Sequence, residues 1–188
     1  ENLYDLIAAC LGRNDLDPSN KADIQRWASK VFDQVKELPP FQGQVKTAFW
    51  VEFLHSVYPF HPIALYALPR LSARLGQNER TLFTFLVSED PLGFKRFLSD
   101  TQFSGTDLPS LTFDVVVDYF LYGAKFSSWS PDIRRSVSQL ESALDRLGDR
   151  PTIEMKIIKI LGGLQLLRAG PALPASKSTL ISSLALHG

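Results

Sequence analysis

Arg80 is the residue whose type and position come nearest to chemistry. It follows Gly76-Gln77-Asn78-Glu79, between two segments of helical apolar spacing, and so falls in the first turn of a helix. A cation there opposes the helix dipole at a cost of about 0.3–1 kcal/mol, so helix stability does not account for it. Beside the unpaired amides of a helix N-terminus, a guanidinium would suit an anion such as a phosphate. The competing reading is an ordinary ion pair with Glu79, Glu89 or Asp90. Gln77, Asn78 and Glu79 read as turn residues that cap the helix and bond to backbone.

The other chemistry-bearing side chains are sparser. His55 and His61 are six apart across a Tyr-Pro turn, a spacing that does not put both on one helix face, and no further metal ligand stands near. Cys10 is the single cysteine and sits in an apolar run without a neighbouring base, which reads as a structural thiol. Lys125, Arg134, Arg135, Arg146, Arg150, Lys156 and Lys159 form the densest basic run. Arg134 and Arg135 are the weak candidates for contact with nucleic-acid phosphates. Asp132, Glu141, Asp145 and Asp149 interleave with them, so a solvated charged helix face is the plainer reading. The rings of Phe49, Trp50, Phe53, Phe60, Phe83 and Phe85 read as core, or as an apolar groove where a partner docks.

The 188 residues are 45% hydrophobic, and 20 basic side chains balance 20 acidic ones. Such a chain buries a real core, lacks a global basic field for nucleic acid, and carries no disulfide framework. A reducing cytoplasmic setting is expected, and no apolar run is long enough to span a bilayer. The chain opens within a helical pattern and has no initiator methionine, which reads as a piece of a longer protein.

The elements that must position these residues are helical throughout. Asn20 is the expected cap of a helix carrying Ile24, Trp27, Ala28, Val31, Val35 and Leu38, stopped by Pro39-Pro40. A second runs from Val45 to Val57. Pro62 opens the next, Pro69 should kink or break it, and Gly76 closes it. Asn78 caps a helix with Leu82, Phe83 and Leu86 on one face. Pro91–Leu98 is a short helix and 102–109 a polar loop. Residues 111–122 suit either a strand, by Val115-Val-Val117, or a helix, by Leu111, Val115, Tyr119 and Tyr122; helix is taken. Ser130-Pro131 starts a helix with Ile133, Val137, Leu140, Leu144 and Leu147. Asp149-Arg-Pro-Thr152 starts another with Ile153, Ile157, Ile160, Leu161 and Leu164. A Gly/Pro loop follows, and Ser176 caps a last helix through Leu186. The expectation is an all-α multi-helix bundle: a lid-like helical subdomain over 1–100, then a second, winged-helix-like one over 111–188, joined by a loop at 101–110.

The stretch YPFHPIALYALPRLSARLGQNERTLFTFL, Tyr58 to Leu86, resembles the region after the nucleotide-binding core in large bacterial AAA+-like P-loop ATPases of the bacteriophage-exclusion type. Asp118-Tyr-Phe120, the amphipathic 131–147 segment and Lys156-Ile-Ile-Lys-Ile-Leu161 look like its helical continuation. The likeness spans about 57–186, and His61–Leu86 is its specific part. It implies a lid over the nucleotide, with Arg80 as the second sensor near the γ-phosphate and with His61, Pro62, Gln77 and Asn78 nearby. No G-x4-G-K-S/T occurs, so ATP and magnesium would belong to the parent protein and none to this segment.

Three functions follow as expectations. The first is a non-catalytic lid and adaptor that senses nucleotide through Arg80, with the ATPase core of its own parent chain as partner, and relays that state to DNA or other defence proteins, in phage defence. The second is a free-standing helical protein-interaction module. The third is a DNA-binding adaptor using Arg134 and Arg135. No acid/base pair, triad or metal set can be assembled for an independent enzyme.

Overall fold

Prolines and side-chain caps set most of the element boundaries. A computed structural model describes residues 7, 18–43, 46–75, 79–101, 108–123, 129–148 and 152–184, with backbone alone at 18–20, 79–80 and 123. Among the described residues there are nine α-helices and no strand, so the chain is an all-α bundle. Cys10, Gly76, Gln77, Asn78, the 102–107 loop, Lys125, Asp149, Arg150 and Leu186 lie outside the described residues.

Helix α1 (Pro18–Val35) starts before the expected Asn20 cap, because Pro18 already fits the first helical turn, and it ends short of Leu38. Helix α2 (Thr47–Ser56) stops ahead of the cis Tyr58-Pro59 bond. Helix α3 (Pro62–Leu75) opens on Pro62 and runs through Pro69 without the expected break. A proline removes one backbone donor, here toward the Leu65 carbonyl. Full burial of Ala64, Ala67, Leu68 and Leu71 on the same helix outweighs that loss.

Helix α4 (Glu79–Val87) buries Leu82, Phe85 and Leu86. Phe83, expected on that face, is exposed, being one residue and about 100° around from Leu82. Helix α5 (Phe94–Asp100) starts later than Pro91, since Asp90 Oδ1 accepts the Leu92 N–H at 2.9 Å and holds a turn there. Helix α6 (Phe113–Asp118) runs into a π-helical turn, Tyr119–Gly123. Its buried face is Phe113, Val116, Val117 and Phe120, a helical i, i+3, i+4, i+7 set.

Helix α7 (Pro131–Asp145) buries Ile133, Val137, Leu140 and Leu144; Leu147 falls beyond its end and is exposed. Helix α8 (Ile153–Leu167) is capped by Thr152, whose hydroxyl accepts the Met155 N–H at 3.3 Å, and closes on a left-handed Arg168. It buries Ile160, Leu164, Leu166 and Leu167 but exposes Ile153 and Leu161, which the expected stripe placed inside. Helix α9 (Lys177–Ser183) is capped by Ser176, accepting the Thr179 N–H at 3.2 Å.

Helix α3 is the hub: α1, α4, α6, α8 and α9 all pack on it. Buried side chains from both sides of the 101–110 connection form one cluster. A short parallel bridge joins Phe60 and Leu111; His61 N–H donates to the Leu111 carbonyl at 3.0 Å, and Leu111 N–H to the Pro59 carbonyl at 2.8 Å. The Ser182 hydroxyl donates to the Gln34 carbonyl at 2.6 Å, fastening α9 to α1.

Helix α8 approaches its neighbours closely at two glycines. A Cβ on Gly163 would sit 2.5 Å from Val117 Cγ2 and 2.7 Å from Phe113 Cζ. One on Gly162 would meet only the branched end of Leu140, at 2.5 Å. A buried ring yields less easily than a leucine terminus. Gly163→Ala should therefore lower the melting temperature, its overpacking cost of about 1–3 kcal/mol exceeding the gain in helix propensity of about 1 kcal/mol. Gly162→Ala should cost less. The reverse ranking in thermal melts would contradict this packing.

Candidate functional site

Among the described residues, a concavity lies between α2, α3 and the turn that links α1 to α2. Helix α2 turns Val51 and Leu54 inward and leaves Phe49, Trp50 and Phe53 on another side. Phe49 and Phe53, one turn apart, stack with centroids 6.4 Å apart and planes 5° from parallel. Trp50 meets Phe53 edge-on at 6.0 Å, Phe41 edge-on at 5.7 Å, and Phe32 in a stack at 5.9 Å. Phe41 also reaches Tyr66 of α3, at 6.2 Å. Such pairs contribute about 0.5–1.5 kcal/mol each beyond their burial, so the wall is held by its own rings. Phe41, Phe49, Trp50, Phe53 and Tyr66, with Pro62 and Leu65, line a groove of about 470 Å³. That volume lies within the range of about 300–1,000 Å³ usual for ligand sites. Phe49 remains 57% exposed at its edge.

Among the described residues, Arg70 is the one charged side chain lining the groove. Its guanidinium carbon stands 3.6 Å from the centroid of the Tyr66 ring, and Nη1 donates to the Tyr66 carbonyl at 2.9 Å. Tyr66 and Arg70 are four residues apart, so one helix face carries both. Sequence reasoning missed them; Tyr-x3-Arg in a helical segment was the available signal.

Of the expected site residues, Pro62 lines this groove, and His61, Arg134 and Arg135 do not. The backbone places Arg80 second in α4, within its first turn, while its side chain lies outside the described residues together with Gln77 and Asn78. His61 and Pro62 are buried in the chain's own core. His61 precedes α3, and its Nδ1 accepts the Ile63 N–H at 3.3 Å, so it serves as a helix cap. The neutral ring then carries its proton on Nε2, which has no partner among the described residues.

No family model, curated protein or solved structure matches the chain.

The basic run divides. Arg134, Arg135, Arg146 and Lys156 are exposed, on or beside α7 and α8. Lys159 is engaged with Asp118 at 2.8 Å in a half-buried pair. Burial raises the Asp118 carboxyl, and the bond from Lys159 opposes that shift. Nearby, Asp132 accepts Arg168 at 2.8 Å and Arg74 at 3.6 Å, while Trp129 Nε1 donates to the Leu75 carbonyl at 3.0 Å. This set ties the end of α3 to the start of α7 and the end of α8. The Ser130 hydroxyl and then Arg168 hold the Asp132 carboxyl below its ordinary range. Among the described residues, no three His, Cys, Asp or Glu side chains gather as a metal set.

Burial holds the His61 imidazole down, from 6.5 to about 3. An unfolded chain takes up a proton near the ordinary value and the folded chain does not. Stability is therefore complete above that value and falls as pH drops through the window toward 3. Between about pH 7 and about pH 5.5 the expected loss is about 1.3 kcal/mol. His61→Asn keeps a capping acceptor without a titrating ring and should lose much less over the same interval. Urea midpoints of both proteins at the two pH values measure the difference, and parallel losses would contradict the buried neutral ring.

Proposed function

We propose that this chain is a non-catalytic helical adaptor that docks a segment of a partner protein in the groove between α2 and α3. The observation that carries the reading is the largely exposed Phe49 beside a ring-lined hollow of about 470 Å³. Aromatic and arginine side chains in a concave setting are the usual anchors of protein interfaces. Among the described residues, a single charged side chain in the lining offers no acid/base pair, which favours recognition over turnover. The exposed position of Phe49 makes it a usable probe, its removal costing the fold its stacking on Phe53, about 0.5–1.5 kcal/mol.

A neutral apolar fluorophore, N-phenyl-1-naphthylamine, tests whether the groove is open to a ligand. One probe should bind per native chain, and Phe49→Ala should weaken it at least about threefold, through lost apolar contact of order 0.7 kcal/mol or more. Absence of uptake, or uptake indifferent to Phe49→Ala, overturns the reading.

A second reading follows the ATPase resemblance, and one feature favours it: α4 opens at Glu79, which puts the Arg80 backbone in a helix's first turn. On that reading the chain is the lid of a larger ATPase, Arg80 answers to the γ-phosphate, and ATP and magnesium sit in the parent's core. Arg80→Ala in the full-length parent should then slow ATP hydrolysis. Unchanged turnover and nucleotide affinity would remove the sensor role. A DNA role for Arg134 and Arg135 has only their exposure in its favour, and it requires salt-dependent DNA binding that Arg134→Glu with Arg135→Glu abolishes.

A further inference from the structure

We infer that the occupant of the α2–α3 groove is an acidic segment of a partner protein: an aromatic or branched aliphatic side chain enters the hollow, and an aspartate or glutamate beside it pairs with Arg70. This rests on the docking reading above and names the chemistry of its partner.

Charge complementarity is the argument. Among the described residues, the groove wall is aromatic and aliphatic, with no carboxylate in it, and Arg70 is its single charge. Several other arginines already have acidic partners: Arg96 holds Asp100 at 2.7 Å, Arg168 and Arg74 share Asp132, and Arg26 pairs with Asp23. Arg70 forms no ion pair among the described residues. Arg134, Arg135 and Arg146 form none either, but they line no such apolar hollow. Among the described arginines, Arg70 alone combines an unused charge with an apolar receptor.

The guanidinium is also held in place before any partner arrives. The Tyr66 ring supports its face at 3.6 Å, and the bond from Nη1 to the Tyr66 carbonyl uses one of its five N–H donors. The remaining donors suit a carboxylate, which an arginine can grip through two parallel bonds. A side chain already fixed by stacking loses less freedom on binding than a mobile one. A basic partner would instead set like charges together beside an apolar wall and be rejected.

Two fluorescein-labelled, amidated twelve-residue peptides test this by fluorescence polarisation. They share a Phe-Leu anchor pair and differ only in carrying glutamates or lysines beside it. The glutamate peptide should bind the native chain at least about tenfold more tightly than the lysine peptide. Arg70→Glu should reverse that order, and Phe49→Ala should weaken both. Equal affinities, or no response to Arg70→Glu, overturn the acidic partner and leave the groove standing. Failure of both peptides to bind while N-phenyl-1-naphthylamine is still taken up overturns a peptide occupant. Loss of the neutral probe as well would mean that the docking reading itself has failed.

Discussion

Keeping water away from α3 is the constraint on which the rest of the structure depends. Nine of its fourteen residues are buried, so it cannot lie at a surface with one face wet. Five other helices must therefore be brought against it, and they come from both halves of the chain. Fully buried Ala64 and Ala67 keep the hub slender where those neighbours arrive. Position in this hub also explains His61. A residue that caps the most enclosed helix has to lie inside, whatever its side chain could do at a surface.

The groove is where the cover of α3 runs thin. Leu65 is covered, Tyr66 half covered, and Arg70 reaches solvent, so the helix emerges from the core along that line. Helix α2 closes most of the gap with rings that pack on one another rather than with a helix laid flat. Rings leave concave space because they are large and rigid. The fold thus yields an apolar hollow and a supported cation at a single place, from side chains whose first duty is to shield the hub.

Much of the architecture could be read from punctuation and periodicity. Pro62, Pro131, Thr152 and Ser176 mark helix starts where the structure has them, because caps and N-terminal prolines act through local geometry. Pro69 misled for the opposite reason: its effect is local, while the burial that overrides it comes from five distant helices. The valines at 115–117 pointed to a strand by propensity, yet tertiary packing chose the helical face that includes Phe113 and Phe120. Phe49 and Phe83 counted as core: Phe83 shares the expected Leu82 stripe although it stands about 100° around from it, and the exposure of Phe49 depends on which side of α2 the assembled helices leave uncovered. Arg70 escaped notice because its significance lies in what is missing around it, which is a property of the assembled fold. For Arg80 the backbone position agrees with expectation, and its side chain lies outside the described residues.

The clasp between Ser182 and Gln34 has a bearing on how the molecule is made. Helix α9, which carries the donor, is synthesised last among the described helices, and α1, which carries the acceptor, is synthesised first. During translation the early helix must wait with part of its apolar side uncovered until α9 has left the ribosome exit tunnel. A truncation ahead of α9 removes the piece that covers it.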